Sequence, residues 1–206
     1  MKTLINPCYF GSIDQWLGIM QSSELWLEFF DNYQKQTLRN RCVILAANGK
    51  LSLSIPVHYS QKNRQLFKDV QIAYNSNWQE LHLKSLASAY QMSPFYEFYI
   101  DDLQLLYQKK WKYLIDFNLS SMKMISEFLS YELSYKQSGS FTAEWKNGLD
   151  LRYLSAKNVQ SPFKIKPYTQ VFSNKFGFVP HLSILDLLFN QGPNSENFMI
   201  KQLTLK

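Results

Sequence analysis

Two cysteines, three histidines, seven glycines and seven prolines in 206 residues are few, and each scarcity removes a class of protein. Cys8 and Cys42 cannot build a disulfide scaffold, and no CxxC or mixed Cys/His spacing suggests zinc, so the redox expectation is a reduced interior. His58 and His181 lack the spaced partners that would make them metal ligands. The glycines form neither a phosphate-binding P-loop nor Gly-x-Gly-x-x-Gly, and no Gly-x-Ser-x-Gly elbow surrounds Ser183. No apolar run approaches a membrane span. Residues 1–10 carry one Lys and a short mixed segment broken by Pro7, unlike a signal peptide, so the expected location is the cytoplasm. Repeats and low-complexity tracts are also missing.

What remains is globular in composition: 46% hydrophobic, 18% charged and 16% aromatic, with fifteen Phe, thirteen Tyr and five Trp. A chain of this length buries most of the surface its unfolded form exposes, so one domain over residues 1–206 is expected. The formal charge is +6. It favours anionic partners, but Lys109, Lys110 and Lys112 are interleaved with Asp101, Asp102 and Asp116, and nucleic-acid footprints need clustering on one face.

Along the chain, residues 3–5 read as a strand stopped by Asn6-Pro7. Ser12 reads as the N-cap of a helix carrying Ile13, Trp16, Leu17 and Met20 on one side. With the apolar run at residues 25–30 this makes a β-α-β unit, which places residues 7–11 at the carboxyl end of a strand, where open α/β sheets bind ligands. A polar stretch, residues 31–41, then enters a strand at 42–46. Asn48-Gly49 supplies positive φ for a tight turn, and Leu51, Leu53, Ile55 and Val57 alternate with Ser52, Ser54 and Pro56, which predicts a hairpin over residues 42–57. Pro56 puts the end of its second arm at an edge or outside the ladder.

Residues 67–72 read as a further strand. The spacing predicts helices over 78–92, with Asn75 to Asn77 as cap candidates, and then over 95–115 and 119–133. Short strands are expected at 141–145 and 151–154, and irregular chain at 158–167. Ser183 with Asp186 makes an acidic variant of the capping box for a helix ended by Gly192-Pro193. Its apolar residues 184–185 and 187–189 leave little polar face, so it is expected to be buried. The fold class is therefore α/β: a single domain with a mixed sheet that includes the hairpin, a helical middle (78–133) and a buried C-terminal helix (184–190).

Several blocks together carry a resemblance. Pro7-x-Tyr9-Phe10-Gly11, residues 33–41 (Tyr-Gln-Lys-Gln-Thr-x-Arg-Asn-Arg), Asn48-Gly49-Lys50 to Ile55-Pro56-Val57, Trp78-x-x-x-His82 with Tyr90, Ser93-Pro94-Phe95-Tyr96, and residues 183–193 resemble successive blocks of the WbqC-like family. The blocks run in one order over nearly the whole chain. The resemblance implies an association with bacterial surface-polysaccharide synthesis, since the family takes its name from a member in an O-antigen gene cluster. It supplies no reaction, cofactor or catalytic residue. Cys8 departs from the pattern, where a small hydroxyl residue is commoner, and this weighs against a thiol nucleophile.

The leading candidate site is Lys35, Arg39 and Arg41, two guanidinium forks and an ammonium able to hold a phosphate or carboxylate. If residues 39–41 are extended, Arg39 and Arg41 share a face; the competing role for either is an internal pair with Asp31. His82 is the candidate for proton transfer, with a hydrogen-bonded core histidine as the alternative. Tyr9, Tyr168 and Gln170 are candidates to line the same cleft, whereas Phe10 suits packing. The expected activity is transferase-like or sugar-nucleotide-modifying, acting on an anionic small molecule such as a nucleotide sugar or acyl donor. The alternative is a non-enzymatic module binding a pathway protein or nucleic acid.

Overall fold

Strand β1 (Lys2–Ile5), helix α1 (Ile13–Met20) and strand β2 (Glu24–Leu27) form the expected β-α-β unit, with β1 and β2 parallel and Lys2 opposite Glu24. Residues 1–59, 64–156 and 159–203 of the computed structural model are described. Residue 158 and part of the expected loop before Gln65 lie outside them. Ser12 caps α1 through its side chain, and Gln15 returns the bond in a full capping box. Two further short strands complete a parallel sheet in the order β7-β2-β1-β8, β7 being Tyr135–Gln137 and β8 Leu149–Asp150.

The hairpin also forms, with β3 (Arg41–Ala46) antiparallel to β4 (Gly49–Ser54) and Val43 opposite Ser52. It stands as its own two-stranded sheet beside the parallel one. Of the expected turn pair only Gly49 takes positive φ, at 104°. The chain leaves the ladder before Pro56, and β5 (Val57–His58) pairs instead with β6 (Gln71–Ile72).

The middle is helical, with shifted boundaries. Helix α2 (Trp78–Tyr90) matches its expected span, but α3 (Tyr96–Gln108) stops early and α4 (Leu114–Phe128) begins five residues before the third helix was expected. Two interactions explain the break. The Tyr74 hydroxyl accepts from Trp111 N and donates to Trp111 O, and Ile72 N bonds Lys112 O, so tertiary partners outcompete helical continuation at residues 109–113. Residues 67–69 are a single 3-10 turn rather than strand. The strands expected at 141–145 and 151–154 do not form; residues 152–155 make another 3-10 turn and the strand lies at β8 instead.

Near the C-terminus, α5 (Ser173–Phe176) is a single turn, α6 (Ile184–Gln191) is buried along nearly its whole length, and α7 (Ser195–Leu203) was not foreseen. Ser183 caps α6, but the Asp186 carboxylate does not close a capping box. It is engaged elsewhere. The buried apolar side chains, from Ile5 to Met199, form one connected cluster around α1, α4 and α6. Among the described residues no helix is long and apolar enough to cross a membrane.

Candidate functional site

The carboxyl end of β1 is the natural place to look, and the loop that leaves it is held in an unusual backbone. Phe10 and Gly11 both take positive φ, 58° and 74°, and Trp16 Nε1 donates to Phe10 O at 2.8 Å. A side chain at Gly11 would meet Trp16 and Gln15 at 3.1–3.3 Å in addition to that strain, so glycine suits this corner. The segment before α6 is pinned to the same corner. Ile184 N bonds Gly11 O, Ile13 N bonds Leu182 O and Ser183 N bonds Val43 O. Three elements distant in sequence therefore meet at His181, which itself holds a left-handed φ of 63°.

His181 Nδ1 lies 2.8 Å from Asp14 Oδ1 in the first turn of α1, and Ser161 Oγ donates to the same oxygen. A carboxylate only accepts, so Nδ1 carries the proton toward Asp14, and in the neutral tautomer this selects the lone pair lies on Nε2. Their exposures differ in a useful way: the Asp14 side chain retains 5% of its surface and His181 retains 43%. The acid is buried as an orienting partner, and the imidazole faces solvent.

Both residues line a cavity of about 390 Å³. The outer face of the hairpin supplies one wall: alternation places Arg41 and Val43 of β3 together with Lys50 and Ser52 of β4. Leu154, Ala156 and Val159 contribute further lining. Arg41 Nε is buried with no hydrogen-bond partner among the described residues. Arg39 Nε, Trp78 Nε1 and Trp145 Nε1 share this state, but of the four only Arg41 lines this cavity, where an acceptor could relieve a cost of about 1–3 kcal/mol. A narrow crevice lined by Tyr9, Cys42 and Ser183 shares Ser12, Arg41 and His181 with this cavity. Cys8 and Cys42 are poor nucleophiles, because burial pushes both thiols up to about 12.

Of the candidate site residues named from sequence, Arg41 alone borders the larger cavity. Arg39 is buried; its guanidinium pairs with Asp31, donates to Asn32 O at 2.9 Å and lies 5.3 Å from the Phe67 ring. Because β3 begins at Arg41, the two arginines do not share a strand face. Lys35 is exposed, over the Tyr59 ring at 4.7 Å. Tyr9 and His82 do meet, at 2.9 Å, inside a cluster with Tyr107, Trp78 and Phe117. His82 also bonds the Ser54 carbonyl, and burial lowers its pKa to about 4. It lines none of the cavities described. Tyr168 and Gln170 converge on Asp186, donating at 2.5 and 2.8 Å, and Tyr90 donates at 2.8 Å to the other carboxylate oxygen. Burial raises the pKa of this acid.

Sequence reasoning passed over Asp14, Lys50 and Ser161 as site residues, and it weighed His181 only as a metal ligand, favouring a structural role. Asp14 and His181 are separated by 167 positions, so no spacing could join them. The available signal was positional: Asp14 follows the loop at the strand's carboxyl end. Among the described residues no three His, Cys, Asp or Glu side chains gather as a metal site.

The family model for the WbqC-like protein family matches residues 7–161 and 143–198. The chain belongs to the WbqC-like family. Both the loop after β1 and the His181 segment fall inside the matched span of this WbqC-like chain. Searches of curated proteins and of solved structures returned no match.

Proposed function

We propose that this WbqC-like protein is a transferase-like enzyme of bacterial surface-polysaccharide synthesis, and that Arg41 and Lys50 hold the anionic group of its donor while His181 acts as general base. The observation that carries this is the Asp14–His181 pair at the wall of a cavity that also contains an unpaired buried arginine donor. Anion binding follows from Arg41 and Lys50, which have no carboxylate partner among the described residues, whereas Arg39 and Arg152 are each paired with acids.

In this scheme Nε2 of His181 takes the proton of an acceptor hydroxyl or amine as its oxygen or nitrogen bonds to the transferred group. The donor's leaving group departs with the electron pair and receives that proton from the imidazolium. Asp14 holds the tautomer that makes Nε2 basic and stabilises the charged ring. Of the sites inferred from sequence, this proposal keeps Arg41 and transfers the proton-transfer role from His82, whose ring is enclosed, to His181.

The test is ligand-dependent thermal shift against nucleotide sugars and acyl donors, followed by turnover. A donor at a hundred times its Kd stabilises by about 2.7 kcal/mol. The shift is expected in the wild type and in His181→Ala and is expected to vanish in Arg41→Ala. Turnover in His181→Ala should fall by about 10²–10⁴. An unaltered shift in Arg41→Ala removes the anion site, and unaltered turnover in His181→Ala removes the base. A ligand that binds with no turnover in the wild type would make the protein a binding module.

A further inference from the structure

Resting on the anion site just proposed, the rest of the cavity lining says what else the ligand carries. Among the described residues the cavity presents no Phe, Tyr or Trp, in a chain where these are 16% of residues. Nucleobases and sugar rings are generally recognised by stacking on aromatic faces. The apolar surface here is instead aliphatic: Leu38, Val43, Leu154, Ala156 and Val159. Branched aliphatic walls gain from burying methylenes and offer a flat ring little. Polar groups line the same space of about 390 Å³, among them Arg41, Lys50, Ser52 and His181, together with the Asp14 carboxylate that His181 and Ser161 already engage. That volume is at the small end of ordinary ligand sites.

We infer that this cavity takes a small anion bearing a short aliphatic acyl chain, and that a nucleotide is not its occupant. The chain lies against Val43, Leu154 and Val159, and the anionic end meets Arg41 and Lys50. The acyl donor is thereby separated from the nucleotide sugar, which the anion site alone does not do.

Unreactive probes test this directly. Methyl-, propyl- and pentylphosphonate, with uridine diphosphate glucose as the nucleotide arm, can be titrated calorimetrically into the wild-type protein. Burial of each methylene should tighten binding about fourfold, so pentylphosphonate should bind far more tightly than methylphosphonate. In the Val43→Thr, Val159→Thr double variant the gain per methylene should drop below about twofold, with methylphosphonate affinity and the unfolding midpoint unchanged. If that variant does not fold, the chain-length series in the wild type still decides. Equal binding of the three phosphonates, or tighter binding of the nucleotide sugar than of pentylphosphonate, overturns the acyl assignment while the anion site stands. No binding of any probe overturns both.

Discussion

The polar cluster around His82 and the one around His181 are built from similar groups, a hydrogen-bonded imidazole with hydroxyls nearby, yet they hold opposite prospects for chemistry. His82 is enclosed: Tyr9, the Ser54 carbonyl and the rings of Trp78 and Tyr107 surround it. Every bond it makes is internal. His181 spends one nitrogen on a buried acid, and its half-exposed ring lines the cavity. The difference is what the partner atoms are. A closed ring of hydroxyl and carbonyl partners fixes a core histidine, whereas one carboxylate beneath a half-open ring is the arrangement that the proposed general base requires. Arg39 and Arg41 differ in a related way two residues apart: Nε of each is buried without a partner, but the Arg39 guanidinium is paired with Asp31 and lies over Phe67, whereas Arg41 has no acid partner among the described residues and lines the cavity.

The largest effect expected from this contrast separates the two arginines. Arg39→Ala leaves Asp31 without its partner in a largely buried setting, where breaking an ion pair costs about 3–5 kcal/mol. Arg41→Ala removes a donor that has no partner, so its stability should change by less than about 1 kcal/mol while ligand binding is lost. Urea unfolding of both variants checks the pair. Equal destabilisation would break the distinction between a structural and a ligand-facing arginine.

That distinction was only half visible in the sequence. Local signals carried the framework: Ser12 as an N-cap, the alternation of β3 and β4, Pro56 ending a ladder, and the apolar α6. These depend on neighbours along the chain, and such neighbours can be read. Arg39 with Asp31 was an alternative already present in the same polar segment. What could not be read depends on contacts across the fold. The helix break at residues 109–113 needs Tyr74, the carboxylate of Asp186 needs Tyr90 and Tyr168, and the Asp14–His181 pair needs two loops clamped through Gly11 and Leu182. His82 was conspicuous because an imidazole suits proton transfer, and the core alternative prevails because Trp78, one helical turn away, helps to enclose it.

A smaller effect tests His82 through acid. Burial holds its pKa near 4 against an ordinary 6.5, so the unfolded chain binds a proton that the folded one refuses. The stabilising contribution is complete above about pH 6.5, declines as pH falls through that window and is gone below about pH 4. The shift corresponds to about 3 kcal/mol. Asp186, whose folded pKa is raised by burial, acts in the opposite direction at the acid end. The His82 share is therefore read as the difference between wild type and His82→Gln in unfolding free energy from pH 7 to pH 4. Parallel profiles would mean that the ring titrates freely and is not enclosed.

The smallest stability effect belongs to the residue on which the proposed chemistry depends most. His181 sits at φ 63°, a region that costs a side chain about 1–2 kcal/mol and that glycine enters readily. His181→Gly relieves that strain, loses the bond to Asp14 and adds the backbone entropy of glycine, about 0.5–1 kcal/mol. These contributions oppose one another, so the unfolding free energy should stay within about 1 kcal/mol of wild type. Turnover should nevertheless fall by about 10²–10⁴, the usual cost of losing a general base. A strained, non-glycine residue that can be removed without harming the fold is what a position held for chemistry should look like. If His181→Gly instead unfolds the protein, the imidazole is there to clamp the loops, and the contrast with His82 disappears.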